Sequence, residues 1–407
     1  MNFVFAIGYY RDNIDANCKI AATIARQLIS FGNKCELITY SFDVDSAKEI
    51  SYQDVKIKVL PANSRSYESK QKLKGSGLSK SLFTVLHPID SLKIMLSRKH
   101  EYEEVIGYIN SLIDRETYLI GFINPTDVTY RILNETNECR KVVYQLDPWG
   151  LFETEDKTRK ENSKKKELEL FRKCCHIFTT DILYRQYSEE KDYNQFISKI
   201  DPLNIPNLCI SESKNKGMSF DPDDYNILYL GTLDDDVRNP IKTLSIFGKM
   251  IEANQKIKLF FIGNINSRHI DEYSKKYKNN IFILPSVKSE IAQTIMNLDG
   301  IFLLNINNDI TNMSPSKLID YISTGNPIIN VIKNTEDASF SILEKYDNQF
   351  SFHENDNVAN ELVEFITENK GKKIDRETIR DSYYEYAPEY IASRMVEILL
   401  RNEDSDE

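Results

Sequence analysis

The sequence predicts an α/β protein built from two units of parallel sheet. Short apolar runs alternate with amphipathic helical patterns along most of the 407 residues, and this alternation is typical of parallel sheets with helices on both faces. A chain of this length exceeds what one hydrophobic core usually supports. A stretch at 201–225 that is rich in proline and aspartate separates two such series, so we place a domain linker there.

The composition narrows the class of protein. Hydrophobic residues make up 41% and charged residues 28%, which is typical of globular chains. The formal net charge of −10 disfavours generic nucleic-acid binding. The six cysteines include no C-x-x-C pair, so a zinc ribbon is disfavoured and a reducing compartment is favoured. Because no apolar run approaches ~18 residues, we expect a cytoplasmic protein, and association with a membrane surface stays open.

The chain begins with a strand–helix–strand pattern. Residues 2–7 form a near-continuous apolar run, and a polar loop follows through residue 15. This loop has one glycine rather than G-x-G-x-x-G, so a dinucleotide site is poorly supported. It lies at the carboxyl end of a strand, where open α/β sheets bind ligands. Gly8, Tyr9 and Tyr10 are therefore candidate ligand contacts.

Further strands are expected at 55–60, 118–123 and 141–146, with a helix at 101–115. The last of these strands ends at Asp147, two residues before Trp149, the only tryptophan in the chain. This position suits contact with a ligand and makes Asp147 a candidate general base, although Asp-Pro is also an ordinary turn signal. His87 is a second candidate by position alone, and a structural histidine is the alternative.

Two basic segments each allow two interpretations. Residues 61–80 are rich in serine, lysine and glycine and form either a solvated loop or a lid over a substrate. Residues 157–173 contain eight basic and three acidic side chains. They form either a solvated helix face or a contact with anionic lipid.

The alternation restarts after the linker and continues to the end of the chain. The expected strands are 226–230, 257–262, 281–284 and 300–305, and the expected helices are 241–253, 269–277 and 290–298. A final helical region at 377–401 is long enough to cross back onto the first domain.

The stretch from Met313 to Ile332 carries its own start and stop signals. Ser314 is a good N-cap, Pro315 suits the first helical position, and Gly325 can end the helix in a left-handed conformation. Lys317 then falls at the third helical position, where the helix dipole favours negative charge. A bound anion would explain this lysine, and an exposed lysine on an ordinary helix is the alternative.

Four strand ends bring candidate anion contacts to one edge of the second sheet, because each contact follows the carboxyl end of a strand. Arg238 is notable among them, since arginine binds phosphate bidentately and keeps its charge. The four groups are Gly231, Thr232, Arg238 and Asn239; Gly263; Pro285 and Val287; and Ser314, Pro315, Ser316 and Lys317.

These motifs resemble the donor half of GT-B glycosyltransferases, and the glycosyltransferase family 4-like enzymes are the subset they resemble most. The resemblance is good over 226–332 and mainly architectural over 1–200. It implies two Rossmann-like domains facing a central cleft. The expected divisions are an acceptor-binding domain at 1–205, a donor-binding domain at 206–380, and a C-terminal helix with an acidic tail at 381–407 that returns to the first domain.

The resemblance also implies roles for single residues. Asp320 matches the carboxylate that binds the donor ribose, whereas Asn312 stands where the family has a charged residue at the donor sugar. Arg238 matches one of the paired basic residues that hold the diphosphate. The other falls near Thr232, so we expect Lys317 to supply the missing cation. Gly8, Tyr9 and Tyr10 then lie on the acceptor side.

The activity that the resemblance implies is transfer of a sugar from a nucleotide-diphosphate donor to a hydroxyl group of a glycan, lipid-linked or protein acceptor. Retention of anomeric configuration, no metal or other cofactor, and a place in polysaccharide or glycoconjugate biosynthesis are expected with it. Because Asn312 and Thr232 are uncharged, a non-catalytic GT-B-like subunit that binds a glycan or stabilises a partner is the alternative. A GT-B enzyme of another reaction, such as a nucleotide-sugar epimerase, is a third interpretation.

Overall fold

The computed structural model describes residues 1–10, 16–62, 101–123, 127–151, 157–193, 197–200, 220–235, 238–308, 313, 315–334 and 337–403. The chain divides into two compact units, Met1–Pro202 with Pro388–Glu407 and Leu203–Ala387. Each unit contains a largely or wholly parallel sheet flanked by helices. The predicted α/β class is therefore confirmed.

The first unit contains a sheet of eight strands in the order β3-β4-β2-β1-β5-β6-β7-β8. Its strands are β1 (Asn2–Tyr9), β2 (Lys34–Ser41), β3 (Lys48–Tyr52), β4 (Val55–Pro61), β5 (Thr117–Ile123), β6 (Arg140–Gln145), β7 (His176–Thr179) and β8 (Ile197–Lys199). The pair β3–β4 is antiparallel and the other neighbours are parallel. The strand β3 was not predicted from the sequence because it has no buried position and so no apolar run.

Helices cover both faces of this sheet, which explains why β1 reads as an unbroken apolar run. The helices are α1 (Ala16–Ser30), α2 (Glu103–Leu112), α3 (Asp127–Glu135), α4 (Lys157–Phe171) and α5 (Asp181–Glu189). Phe3, Phe5 and Ile7 pack in the cluster that includes α1. The alternate residues Val4 and Ala6 pack in the cluster that includes α2 and α3, as the two-residue period of a strand requires.

The carboxyl end of β1 lies further along the chain than expected. Gly8 and Tyr9 belong to the strand, so their placement in a loop was wrong. Gly8 accepts a hydrogen bond from the Thr39 hydroxyl, and Tyr9 pairs with Tyr40 beyond a register shift. These contacts keep the backbone extended. Tyr10 follows, buried, with its N–H 2.7 Å from the carbonyl oxygen of Tyr40.

The second unit contains a six-stranded parallel sheet and a small two-stranded sheet. Its strands are β9 (Tyr225–Leu230), β10 (Leu233–Asp234), β11 (Ile257–Ile262), β12 (Ile265–Asn266), β13 (Ile281–Leu284), β14 (Ile301–Ile306), β15 (Ile328–Ile332) and β16 (Gln349–His353). Its helices are α6 (Ile241–Ala253), α7 (Arg268–Lys276), α8 (Ser289–Met296), α9 (Ser316–Ile322), α10 (Ala338–Leu343), α11 (Ala359–Asn369) and α12 (Arg376–Ser382).

The strand order of the larger sheet, β13-β11-β9-β14-β15-β16, reverses between β9 and β14. The chain moves from β9 outward through β11 to β13, and then crosses to β14 and continues the other way to β16. In open α/β sheets, ligands bind outside the carboxyl ends of the strands at such a reversal. The loops after β9 and β14 are therefore the places in this unit where a site is expected.

The end of the chain is two helices, not the single helical region expected at 377–401. The helix α12 ends at Ser382, a short turn follows at Tyr384–Tyr386, and the last helix, α13, spans Pro388–Glu403. Pro388 can start a helix but cannot continue one, which accounts for the break. Ile391, Ala392 and Met395 of α13 pack with α1 in the core of the first unit.

Several predictions lie outside the described residues. They concern Asn312, Ser314 and His87, the basic loop apart from residues 61 and 62, the linker before residue 220, and the acidic tail after residue 403. Within the described part of the chain, no helix is both long and apolar enough to cross a membrane.

Candidate functional site

Two glycines bring the turns after β9 and β11 into close contact. Gly231 and Gly263 have φ values of +125° and +147°, which favour glycine strongly. A Cβ atom at Gly263 would lie 2.1 Å from the carbonyl oxygen of Gly231. No other residue fits at Gly263 unless the backbone moves, so the two strand ends form one compact corner.

The helix α9 starts one residue later than expected. Pro315 has φ −76° and ψ 88°, which is not helical, and Ser316 is the first helical residue. The prediction that Pro315 occupies the first helical position was therefore wrong, and Lys317 lies at the second position. The described residues around this start show no side-chain cap.

The ammonium group of Lys317 turns towards β9. Its Nζ atom lies 3.0 Å from the hydroxyl oxygen of Tyr229 and 3.0 Å from the carbonyl oxygen of Leu230. It also lies 4.3 Å from the centroid of the Tyr229 ring, within the range of a cation–π contact. A Cβ at Gly231 would be 2.8 Å from Nζ, so this glycine leaves the space that the lysine fills.

Arg238 reaches the same tyrosine from the loop that follows β10. Its Nη1 atom donates to the Tyr229 hydroxyl at 3.2 Å and to the carbonyl oxygen of Thr232 at 3.3 Å. Its Nε atom donates to the side-chain oxygen of Asn308, just after β14. The guanidinium group thus connects the two strand ends that flank the reversal in strand order.

Both cations are held by neutral groups. Among the residues that the structure describes, neither Lys317 nor Arg238 forms an ion pair with a carboxylate. Burial, and secondarily the charge of Arg238, holds the pKa of Lys317 well below its usual range. Burial also raises the pKa of Tyr229, against the opposing effect of Arg238. In the described part of the chain the two cations therefore lie together without an acidic partner, and an anion with several charged oxygens would relieve the repulsion between them.

The comparisons with known proteins bear on the fold of the chain. Searches against models of protein families and against curated proteins return no match. Among solved structures, α,α-trehalose 6-phosphate synthase from Burkholderia multivorans is similar with a TM-score of 0.64 and 8% identity, over 100% of both chains. A mutant of S. aureus TarM, in complex with Fondaparinux, α-GlcNAc-glycerol and UDP, is similar with a TM-score of 0.60 and 10% identity, over 99% of both chains.

A third neighbour is the E. coli trehalose-6-phosphate protein bound with UDP-2-fluoro glucose, with a TM-score of 0.62 and 11% identity, over 97% of this chain and 98% of that one. These neighbours are GT-B glycosyltransferases. The chain has the GT-B fold. The resemblance drawn from the sequence is thereby confirmed at the level of the fold, and membership of the family 4-like group stays a prediction.

In this GT-B chain, the structure brings together only part of the expected donor contacts. Gly231, Thr232, Arg238, Lys317 and Gly263 meet at the corner after β9 and β11. The other described candidates for donor binding are not seen to contact this corner.

Those remaining positions have other surroundings. The side-chain oxygen of Asn239 accepts from the N–H of Ile241 at 3.1 Å and so supports the start of α6. Pro285 is exposed, and Val287 packs partly against the hydrophobic core. Asp320 is half-buried on α9, and its backbone carbonyl accepts from the Ser323 hydroxyl at 2.7 Å. The roles of these residues towards a donor stay predictions.

Asp147 lies in the first unit, two residues after β6. Burial alone raises the pKa of its carboxyl group to about 6. Its backbone carbonyl accepts from the side-chain nitrogen of Gln145 at 2.7 Å. Trp149, two residues later, is buried with the centroid of its ring 5.4 Å from that of Tyr130.

One buried acid beside this loop was not predicted from the sequence. Glu167 is fully buried on α4 and accepts from the N–H of Gly150 at 2.9 Å and from Gln145 at 3.3 Å. Burial raises its pKa to about 7. Its spacing from Leu170 and Phe171, three and four residues later, marks an inward-facing helical position and could have revealed it.

Two further residues were missed in the second unit, Tyr229 and Asn308. No local pattern singles them out, since their importance comes from contacts with residues far along the chain.

Proposed function

We propose that this chain is a glycosyltransferase that moves a sugar from a nucleotide-diphosphate donor to a hydroxyl acceptor. The observation that carries the proposal is that Arg238 and Lys317 share the hydroxyl of Tyr229 at the reversal in strand order, without an acidic partner among the described residues. The GT-B fold supports the proposal, because the resemblance of the sequence implies that the second unit, which contains this corner, binds the donor.

The chemistry of the proposed reaction explains why two cations are needed. As the bond between the sugar and the diphosphate breaks, negative charge develops on the leaving diphosphate. Cations that are already in place stabilise that charge without reorganisation, and they act most strongly where water is excluded. Arg238 can bind two phosphate oxygens at once, and the ammonium group of the half-buried Lys317 can contact a third.

The finer features of the reaction belong to the same proposal. We infer that the two protein cations replace a divalent metal at the diphosphate, that Asp320 binds the donor ribose, and that the anomeric configuration is retained. Asp147 is proposed to accept the proton of the acceptor hydroxyl. Its pKa of about 6 would leave it ionised, and therefore basic, at neutral pH.

The acceptor and the cellular setting belong to the same proposal. A glycan, lipid-linked or protein acceptor fits a role in polysaccharide or glycoconjugate biosynthesis. The exposed lysines of α4, Lys157, Lys160 and Lys165, suit contact with anionic lipid, which would bring the protein to a lipid-linked acceptor.

A screen of nucleotide sugars tests the proposal. UDP-, GDP-, ADP- and dTDP-sugars are added to the protein and thermal unfolding is followed. A true donor stabilises the native state by RT ln(1 + [L]/Kd), about 2.7 kcal/mol at a hundredfold excess over Kd. Each nucleotide sugar that stabilises the protein is then incubated with it, with and without EDTA, and release of nucleoside diphosphate is measured. Release in the presence of EDTA supports a metal-independent reaction.

The outcomes separate the proposal from its alternative. Stabilisation together with nucleoside diphosphate release supports a glycosyltransferase. Stabilisation without release with any acceptor class supports the non-catalytic GT-B-like subunit. Absence of stabilisation by every nucleotide sugar and every nucleoside diphosphate contradicts the assignment of the corner around Tyr229 as a donor site.

A further inference from the structure

The hydroxyl group of Tyr229 uses its whole hydrogen-bonding capacity in this corner. It accepts from Lys317 Nζ at 3.0 Å and from Arg238 Nη1 at 3.2 Å, and it donates to the carbonyl oxygen of Thr232 at 2.7 Å. A phenol has one proton to donate and two lone pairs, so no capacity is left. The ring is fully buried, which fixes the oxygen in place.

We propose that Tyr229 is a positioning residue, which holds the cations of Lys317 and Arg238 at a fixed separation so that they bind one diphosphate together. The inference rests on the proposed function, because the diphosphate is the group that the nucleotide-sugar donor would supply. Tyr229 itself is not expected to contact the diphosphate, since its hydroxyl is already saturated.

The choice of a phenol is the main reason to assign this role. Two cations beside one oxygen repel each other, and a purely structural arrangement would neutralise them with a carboxylate. A carboxylate would also compete with phosphate for both cations. A neutral hydroxyl fixes their positions and leaves their charge available. The lowered pKa of Lys317, caused by burial and then by Arg238, is consistent with a pair of cations that no carboxylate among the described residues neutralises.

The other contacts of the two cations leave Tyr229 as the shared element. Lys317 also bonds to the carbonyl oxygen of Leu230, and Arg238 also bonds to Asn308 and Thr232. Each of these partners serves one cation only. The bond from Tyr229 to Thr232 additionally fixes the turn at Gly231, the glycine against which the Lys317 ammonium lies.

The test uses inorganic pyrophosphate, which carries the diphosphate without sugar, ribose or base, and isothermal titration calorimetry on the full chain. Tyr229→Phe removes only the hydroxyl. Because the substitution frees both cations from their shared partner, we expect the Kd for pyrophosphate to rise about tenfold or more, which corresponds to about 1.4 kcal/mol or more. Tyr346→Phe is the matched control, because Tyr346 is also fully buried and its hydroxyl donates to the Asn326 carbonyl, at 2.7 Å, and to no other group that the structure describes.

A double-mutant cycle separates positioning from a general structural role. In an Arg238→Ala, Lys317→Ala background, Tyr229→Phe should change the remaining affinity by less than about twofold, since nothing is left to position. If Tyr229→Phe weakens binding by the same factor in both backgrounds, or leaves wild-type affinity unchanged, the inference is overturned. It is also overturned if the wild-type chain does not bind pyrophosphate.

A second variant keeps the inference testable should Tyr229→Phe fold poorly. Asn308→Ala releases Arg238 from its partner after β14 and should weaken pyrophosphate binding. In an Arg238→Ala background, the same substitution should leave the affinity unchanged. An equal loss of affinity with and without Arg238 would count against the inference. Failure of the proposed function gives a different result. In that case pyrophosphate binds and Tyr229→Phe weakens binding only when the two cations are present, yet no nucleotide sugar is consumed.

Discussion

The Nζ atom of Lys317 lies 3.0 Å from the hydroxyl oxygen of Tyr229, a residue 88 positions earlier in the chain. This contact places a cation from the first turn of α9 against the carboxyl end of β9. Arg238 bonds to the same hydroxyl. Lys317 and Arg238, which are far apart in sequence, therefore meet at one hydroxyl group, and the proposed function depends on that corner.

Removing either cation should weaken binding of a nucleoside diphosphate. We expect Arg238→Ala and Lys317→Ala each to raise the Kd for UDP, measured by calorimetry, by roughly ten- to a hundredfold, since each removes charge-assisted hydrogen bonds. Lys276→Ala is the control, because Lys276 is exposed and pairs with Glu252. Unchanged affinity in both site variants, or an equal loss in the control, would refute the assignment.

The affinity for UDP should fall as the pH rises through the alkaline range. Burial and Arg238 hold the pKa of Lys317 well below its usual value, whereas a bound diphosphate favours the charged ammonium, so binding takes up a proton. Above about pH 7 the terminal phosphate is already ionised, and the remaining dependence on pH comes from the protein. Lys317→Met should flatten the profile between about pH 7 and 10. If UDP affinity depends on pH in Lys317→Met as it does in the wild type, Lys317 is not the titrating group.

The same lysine should make the stability of the free protein depend on pH. Between the lowered native pKa and the ordinary value of 10.5, the unfolded state binds more protons than the native state. The free energy of unfolding should therefore rise with pH across that window. Urea unfolding of the wild type and of Lys317→Met, compared at several pH values, measures this contribution as the difference between the two slopes.

Asp147→Asn should stabilise the protein at neutral pH. Burial raises the pKa of Asp147 to about 6 from 3.8, so the native state binds more protons than the unfolded state between these values. Stability is then lost as the pH rises through this window. At pH 7.5 the variant should be more stable by up to about 3 kcal/mol, and at pH 4 it should show little gain.

A carboxylate with the opposite shift provides the control for Asp147. The pKa of Asp114 is lowered chiefly by its hydrogen bond with the Thr117 hydroxyl, at 2.6 Å. Asp114→Asn should therefore lower stability at neutral pH. Stabilisation by both substitutions would show that removal of negative charge, rather than relief of burial at Asp147, is responsible.

Gly263→Ala should destabilise the second unit. The new Cβ would lie 2.1 Å from the backbone oxygen of Gly231, and backbone atoms have little freedom to move away. We expect a loss of about 2 kcal/mol or more. Gly107→Ala on α2 is the control: nothing lies within 4 Å of its Cβ position, and helix propensity predicts a gain of about 0.5–1 kcal/mol. Equal melting temperatures of the two variants would contradict the geometry of the corner.

Buried elements could be predicted from the sequence because their physics is local. The bounds expected for β11, β13 and α6 match the structure, since an apolar run or an apolar helical face can be seen in the residue pattern itself. Gly325 was expected to end a helix in the left-handed conformation. Its φ is +74°, and a Cβ there would lie 2.2 Å from the carbonyl oxygen of Ile374. The glycine is required both for its conformation and for this close contact.

The candidate site could be predicted only in part because its contacts are not local. Lys317 was singled out as a cation that conflicts with the helix dipole, but its contact with Tyr229 could not be foreseen, and its role towards an anion stays a prediction. The contact with Tyr229 depends on the strand order, which brings β9 beside β14 and so close to α9. The edge strand β3 and the start of α9 were missed or misplaced since exposed strands and the backbone of Pro315 leave little trace in the residue pattern.

The most direct test of the proposed function is consumption of a nucleotide sugar by the wild-type chain and by the Arg238→Ala, Lys317→Ala double variant. Release of nucleoside diphosphate is followed with the donor found by thermal shift. We predict turnover by the wild type and a loss of at least about a hundredfold in the double variant, whose fold is checked by circular dichroism. Equal turnover by the two proteins, or none by the wild type with any donor, would contradict the role assigned to this corner.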